Sequence, residues 1–158
     1  EILHNYCEAG VDCVIGHHPH VIQPVEQFKT KDGRICTIFY SLGNFIANQS
    51  SVHIDAISGV ECSTRETIIV QITIAKNNVN NHQYTIIPVM IMNIPDTESK
   101  YKYGRKIQPI AIMQYINLLK KESNNSEYIN YLINRKNELL KHLFLYGNYQ
   151  NIKIKDNY

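Results

Sequence analysis

The sequence lacks several features that would assign it to a common class at once. It has no run of about 18 apolar residues that could form a membrane-spanning helix, and its first residues show no signal-peptide pattern. Its four cysteines include no Cys-x-x-Cys pair, which argues against a zinc finger or a thioredoxin-like protein. No glycine-rich phosphate loop is present, which weakens the case for a generic phosphate-binding domain.

An excess of one charge is also missing. The chain has 16 basic and 14 acidic side chains and a net charge of +2, so its composition does not indicate nucleic acid as a partner. Its 158 residues, 44% of them hydrophobic, are enough for one domain with a core. The chain opens without methionine, inside an amphipathic pattern, so we expect a piece of a longer protein with any signal or anchor upstream.

The most informative stretch that is present runs from Val11 to His20. A short apolar run over residues 11–15 predicts a buried strand. Gly16 permits a sharp turn at its end, and Pro19 stiffens the loop and biases the preceding residue away from helix. Three imidazoles therefore follow the carboxyl end of a strand, where ligand sites of α/β sheets lie.

Histidine is the commonest metal ligand in its neutral form, so this loop predicts a metal or phosphate site. In an extended segment His18 and His20 are two residues apart and would point the same way. His17 would face the other way or follow the turn. The alternative is a set of ordinary loop histidines with local hydrogen bonds.

A second strand end follows closely in sequence. Residues 21–28 and 34–40 predict a hairpin around a turn at residues 31–33. The return strand ends at Ser41 and Asn44, with Gly43 between them indicating a special backbone angle. These two polar side chains would bond the histidines or a bound phosphate, or else bond their own backbone as in an ordinary turn.

The remaining pattern predicts an α/β fold with a mixed or parallel core, because helix, glycine and strand succeed one another at the start. We expect helices over 1–9, 107–121 and 127–146, and strands over 66–75 and 83–92, with Pro88 indicating an edge or a bulge. The predicted organisation is a domain part at 1–106, a helical segment at 107–147 and a polar, frayed tail at 148–158.

Three further groups have weaker signals. We expect Cys13 and Cys36 to be buried free thiols, although the sequence does not exclude disulfides. Residues 46–64 predict a polar loop, with His53 exposed to solvent. A loop near residues 100–106 would contact an acidic polymer or simply be solvated; it carries Lys100, Tyr101, Lys102, Tyr103, Arg105 and Lys106.

Two motifs in order carry a resemblance to a known family. Gly-His-His-Pro-His-Val at residues 16–21 and Tyr-Ser-Leu-Gly-Asn-Phe at 40–45 resemble the CapA family of bacterial capsule and poly-γ-glutamate synthesis proteins. Shorter matches lie at 23–26, 65–66 and 87–89, so the resemblance covers roughly residues 1–120. It implies the calcineurin-like metallophosphoesterase superfamily, with a four-layer α/β/β/α sandwich and a dinuclear metal site at its strand ends.

The resemblance also implies roles for individual residues. The superfamily's last ligand motif is Gly-His-x-His, which assigns His18 and His20 to divalent metals such as Mn, Fe or Zn. The local sequence is one residue longer, so His17 could ligate instead. Ser41 and Asn44 are carried over as neighbours of the site. The earlier metal motifs are absent and would precede Glu1, so we expect the chain alone to bind metal weakly and to be inactive.

Two functions follow from this resemblance. The first is part of a metal-dependent phosphoesterase-like enzyme; the second is a non-catalytic protein that binds an anionic polymer or capsule-assembly subunits. Expected partners are the N-terminal part of the same protein and a second copy of this chain, since half a sandwich would leave apolar surface open. The family resemblance implies the outer face of the cell envelope, whereas the cysteines mildly favour a reducing interior.

Overall fold

The computed structural model describes residues 1–47, 52–54, 61–76, 78–100, 104–122, 125–147 and 149–157. The helices in these ranges are α1 (Ile2–Glu8), α2 (Ile112–Glu122) and α3 (Ser126–Leu143), and a 3-10 turn spans Val79–Asn81. The strands are β1 (Cys13–Ile15), β2 (Val25–Lys29), β3 (Ile35–Phe39), β4 (Val52–Ile54), β5 (Glu61–Ser63), β6 (Glu66–Thr73), β7 (Gln83–Pro95), β8 (Arg105–Ala111) and β9 (Ile152–Ile154). The predicted α/β class with mixed sheets is confirmed. No helix of the described part is long and apolar enough to cross a membrane.

The first sheet carries the histidine loop. Its strand order is β1-β3-β2, with β1 parallel and β2 antiparallel to β3. Ile15 and Val25 both pair with Phe39, so β1 and β3 finish at the edge of the sheet where β2 begins. The predicted strand and hairpin are confirmed, and the two motifs follow neighbouring strands. The prediction that the first strand is buried was wrong, because β1 ends the strand order and Ile15 is exposed.

The second sheet has β7 at its centre. β6 and β8 flank β7 in antiparallel pairing, and β9 runs parallel to it beside residues 84–86. β4 and β5 pair with each other in antiparallel orientation, so the prediction of a loop throughout 46–64 was wrong for these residues. The strand predictions for residues 66–75 and 83–92 are confirmed, and β7 continues to Pro95.

Pro88 lies within this central strand, where the sequence predicted an edge or a bulge. The N–H of Ile91 bonds toward β6, whereas that of Tyr84 bonds toward the β9 side. Because N–H directions alternate along a strand, the missing N–H of Pro88 faces the β9 side. On that side, the pairing of β7 with β9 ends at Ile86, and its pairing with β8 starts at Val89, opposite Ala111. Proline therefore occupies a local gap in pairing, and no ladder hydrogen bond is lost.

Two predictions at the C-terminal end were wrong. Residues 107–111 belong to β8, and the helix begins only at Ile112. These residues form a strand because they pair with β7. Pro109 is tolerated because β8 is an edge strand of the sheet. The tail is not entirely frayed either. Its β9 pairs with β7, and the Gln27 side chain bonds both the N–H and the carbonyl of Gln150 at 2.8 Å.

The largest core joins both sheets to the C-terminal helices. Val25 and Phe39 of the first sheet and Ile86 of β7 pack in one cluster with Ile116 and Leu132 of the helices. α3 also contributes Ile129, Leu139 and Leu143 to this cluster, so the apolar face of the helix is core packing. A smaller cluster between α1 and the first sheet holds Ile38 with two cysteines.

Those two cysteines correct the free-thiol prediction. Cys7 and Cys36 form a disulfide, and both are fully buried. Sequence could not pair them, because their proximity depends on α1 lying across β3. Cys13 is free, as expected, and burial raises the pKa of its thiol.

Candidate histidine loop at the edge of the first sheet

The loop begins where β1 meets the end of β3. The N–H of Gly16 bonds the Phe39 carbonyl at 2.7 Å, and a Cβ on Gly16 would lie 2.3 Å from the Tyr40 carbonyl oxygen. Glycine is therefore required by this close approach. The sequence argument assigned it to a sharp turn, yet its φ is not positive. The contact fixes the loop's origin against the second motif.

The loop itself is bent. His18 has φ 115° and His20 has φ 64°, in the left-handed region that side chains disfavour. The extended-segment argument for a shared direction of these two imidazoles is therefore wrong. Proline following His18 would favour a negative φ, so the surrounding contacts override a local preference. All three histidines are exposed to solvent.

His20 is oriented by Asn44. Its Nδ1 lies 2.8 Å from Asn44 Oδ1, and Asn44 Nδ2 donates to the Thr64 carbonyl at 3.0 Å. Since a carbonyl can only accept, the amide nitrogen of Asn44 must face Thr64 and its oxygen must face His20. Nδ1 of His20 must then carry the proton. In the neutral ring this leaves the lone pair on Nε2.

Ser41 forms hydrogen bonds with backbone groups, one of them within its own turn. Its buried hydroxyl accepts from the Gly43 N–H at 3.3 Å, and its carbonyl accepts from the Gln23 N–H at 3.1 Å. Gly43 has φ 84°, and a Cβ there would lie 2.7 Å from the Glu66 carbonyl oxygen. Of the two interpretations weighed for this turn, Asn44 follows the histidine-bonding one and Ser41 follows the backbone one.

Comparison with known proteins supports the resemblance predicted from the sequence. Residues 1–49, which include both motifs, match the family described as Bacterial capsule synthesis protein PGA_cap. The chain is 35% identical over 82 residues to the PGA biosynthesis protein CapA of Bacillus subtilis (strain 168). It is 31% identical over 93 residues to the Capsule biosynthesis protein CapA of Bacillus anthracis. The resemblance to the CapA family is confirmed.

These matches cover 52% and 59% of this chain but only 18% of each CapA protein. The chain thus corresponds to less than a fifth of the length of either relative. No solved structure matches. The short matches to CapA proteins at residues 65–66 and 87–89 lie beyond the segment that the family covers.

Glu66, which belongs to the first of these short matches, packs against the second CapA-like motif. Glu66 is buried, and Arg135 of α3 binds both of its carboxylate oxygens at 2.7 and 2.9 Å. The same residue's carbonyl lies against Gly43. The buried ring of His142, also on α3, contacts the Ile22 carbonyl at 3.2 Å. α3 therefore contacts Ile22, which directly follows the first motif, and supports Gly43 of the second motif through Glu66. The sequence predicted α3 as a helix but not these contacts.

A second network was not predicted. His4 of α1 stacks on Phe28 and lies 3.0 Å from Glu26, which also accepts a hydrogen bond from Tyr40. Burial and the neighbouring Glu26 raise the pKa of Tyr40. Glu26 belongs to the CapA-like segment at 23–26, but its partners are distant in sequence.

The basic loop near residues 100–106 contacts other residues of the chain. Lys106 lies 3.6 Å from Asp96, and Arg105 donates to Asn93, so part of the basic cluster has partners within the chain. Tyr101, Lys102 and Tyr103 lie outside the described residues, as does the His53 side chain.

Within the described part, no group of three or more His, Cys, Asp or Glu side chains lies close enough together to hold a metal ion.

Proposed function

We propose that this chain supplies the histidine loop of a dinuclear divalent-metal centre in a CapA-like protein of capsule or poly-γ-glutamate biosynthesis. The observation that supports it best is the pair of His20 and Asn44. A metal-binding imidazole needs one neutral ring nitrogen, and its other nitrogen usually donates to a fixed oxygen. The Oδ1 atom of Asn44 is that oxygen, and the Thr64 carbonyl fixes the orientation of the Asn44 amide.

The donor set fits a metal in kind but is incomplete in number. His17, His18 and His20 offer exposed imidazoles, which suit Zn or Fe, whereas Mn would depend more on added carboxylates. Two metals need more ligands than these, including carboxylates to balance their charge. We assign those ligands to the N-terminal part of the same protein. When bound, such a metal pair would activate water and clamp phosphoryl oxygens; this chain's own residues would hold and orient it.

The four-layer sandwich is part of this proposal. Among the described residues β1 ends the strand order of the first sheet, so its outer edge can take a further strand, and Ile15 on it is 48% exposed. We propose that the N-terminal part of the protein pairs there. Without it, this edge drives self-association of the chain. Sedimentation should show a dimer or larger species that the Ile15→Lys variant loses; a wild-type monomer at high concentration would contradict this.

We place the protein at the outer face of the cell envelope. The buried Cys7–Cys36 disulfide supports this location, because disulfides persist in oxidising compartments and are rare in the cytosol. The sequence favoured a reducing interior only because its cysteines were taken to be free thiols. The CapA relatives are named for capsule and PGA biosynthesis, which agrees with this location.

Competition for Zn²⁺ against a chromophoric chelator tests the metal assignment. We expect His20→Ala to weaken Zn²⁺ binding by tenfold or more, and Asn44→Ala by about tenfold, since loss of such supporting partners costs about 10–100-fold. His4→Ala is the matched control, because it removes a histidine outside the loop and should leave binding unchanged. Equal affinity of wild type and His20→Ala would contradict the assignment.

The enzymatic role and the polymer-binding role differ in what the upstream segment contains. Intact carboxylate ligands there favour a hydrolase, and degraded ones favour a binding or assembly protein. The chain alone should not hydrolyse bis(p-nitrophenyl) phosphate with added Mn²⁺. Robust turnover that His20→Ala abolishes would show that the remaining ligands do not come from another segment.

A further inference from the structure

A cavity at the free edge of β2 has chemistry that the metal proposal does not use. Its volume is about 320 Å³, and it lies between the first sheet and the segment that follows α3. β2 ends the strand order of that sheet, opposite β1. The described side chains that line the cavity are Glu26, Gln27, Tyr40, Tyr146 and Tyr149.

Three of the side chains at this cavity direct a hydrogen-bond donor into the protein. Tyr40 donates its hydroxyl proton to Glu26 at 2.5 Å, and Tyr149 donates to the Val25 carbonyl at 2.9 Å. The Gln27 amide nitrogen donates to the Gln150 carbonyl at 2.8 Å. The Tyr40 oxygen keeps acceptor capacity after its proton is used, whereas the Tyr149 oxygen already accepts from the Tyr146 N–H at 3.1 Å. Apart from the Tyr146 hydroxyl, the free capacity of these side chains is therefore mainly that of acceptors.

The charge of the lining has one sign. Glu26 is a carboxylate whose side chain is 24% exposed, and no Lys, Arg or His is among the described residues that line the cavity. A carboxylate has about four lone-pair sites. Tyr40 takes one, and His4, 3.0 and 3.1 Å from the two oxygens, takes another. The remaining sites can accept from a ligand.

We propose that this cavity binds an organic primary ammonium group. A carboxylate and acceptor oxygens complement the three N–H donors of an ammonium, and tyrosine faces attract a cation. An anionic ligand would meet the like charge of Glu26 and no cationic side chain among the described lining residues. A bare metal ion would find one carboxylate where it needs several hard ligands, whereas the volume has room for a short alkyl chain.

The test uses three small probes of equal chain length with the 158-residue chain. n-Butylammonium, 1-butanol and butanoate are titrated separately while amide shifts are followed by NMR. We expect n-butylammonium to shift the amides of Gln27, Tyr146 and Tyr149 with saturation. The neutral and anionic probes should bind at least tenfold more weakly. Equal binding of 1-butanol would overturn the proposal, because it would show an apolar site without charge selection.

Variants separate the site from general charge effects. Glu26→Gln keeps the shape and an acceptor for Tyr40, and should weaken n-butylammonium binding by about 10–100-fold, the range for a charged hydrogen bond. Tyr146→Ala removes an exposed ring and should weaken binding about threefold without unfolding the chain. Glu138→Gln, an exposed acid on α3, should leave binding unchanged. Unchanged affinity in Glu26→Gln, or equal loss in Glu138→Gln, would contradict the assignment.

Discussion

The two motif segments at the edge of the first sheet differ in burial and in backbone geometry. The turn at residues 41–44 is held inside the protein, where Ser41 is 1% and Asn44 is 7% exposed. The loop at residues 16–20 presents its histidines to solvent, with two of them at positive φ. The turn therefore supports the loop, and the loop exposes the histidines to solvent. The bond between His20 and Asn44 joins the two segments. Changes to the turn should reduce stability, whereas changes to the loop should affect binding.

The largest effect should come from removing the support beneath the turn. Arg135→Ala takes the guanidinium from the buried Glu66 carboxylate, and breaking a buried ion pair costs about 4 kcal/mol. Urea unfolding measures the loss. Lys141→Ala, an exposed change on the same helix, should alter the free energy of unfolding by less than about 0.5 kcal/mol. Equal losses in both variants would mean that Glu66 does not support the turn.

Gly43→Ala should have the next largest effect. The new Cβ would meet the Glu66 carbonyl at 2.7 Å at a residue with φ 84°, so overlap and backbone strain together should cost about 3 kcal/mol. Gly33→Ala is the control, because φ is 87° there but nothing lies within 4 Å of the added Cβ. It should cost about 1 kcal/mol. The difference between the two unfolding free energies isolates the close contact.

Asn44→Ala breaks the bond between turn and loop. We expect about 1 kcal/mol of lost stability, together with loss of the fixed His20 tautomer. Long-range ¹H–¹⁵N NMR of the imidazoles reports which ring nitrogen carries the proton. Ser41→Ala should lower stability by a similar amount, because it loses one bond to Gly43, but it should leave the His20 tautomer intact. An unchanged His20 spectrum in Asn44→Ala would contradict the support role.

The smallest effect should be a gain in stability within the loop. His18 has φ 115°, so His18→Gly relieves backbone strain that exceeds the entropy cost of glycine, and the free energy of unfolding should rise by about 0.5 kcal/mol. His17→Gly relieves no positive φ and should lose about 0.5 kcal/mol. A loss of stability in His18→Gly would mean that the loop is not strained at this residue.

The same contrast explains what sequence could predict. The apolar runs before Gly16 and Ser41 predicted the two strands, because strands of this kind depend on local pattern. The pairing of β1 with β3, which brings Asn44 within reach of His20, is seen only in the structure. The Cys7–Cys36 disulfide, the Arg135–Glu66 pair and the β9 pairing with β7 join residues far apart in the chain. No local pattern encodes such contacts.

Two misses have a different cause. Residues 107–111 contain apolar side chains at spacings that fit either a strand or the start of a helix, and only pairing with β7 decides between them. The positive φ values of His18 and His20 oppose what Pro19 and side-chain sterics favour. Such exceptions to local preference concentrate at functional sites, which agrees with the proposed role of the loop.

The most direct test of the central claim is a titration of the ¹⁵N-labelled chain with substoichiometric Mn²⁺, which broadens the NMR signals of nearby nuclei. We predict that the imidazole signal of His20 broadens first, together with that of His18 or His17, which would also settle their order in the site. The signals of His4, His82 and His142 should persist. Uniform broadening of all histidines, or broadening of His4 before His20, would contradict the account.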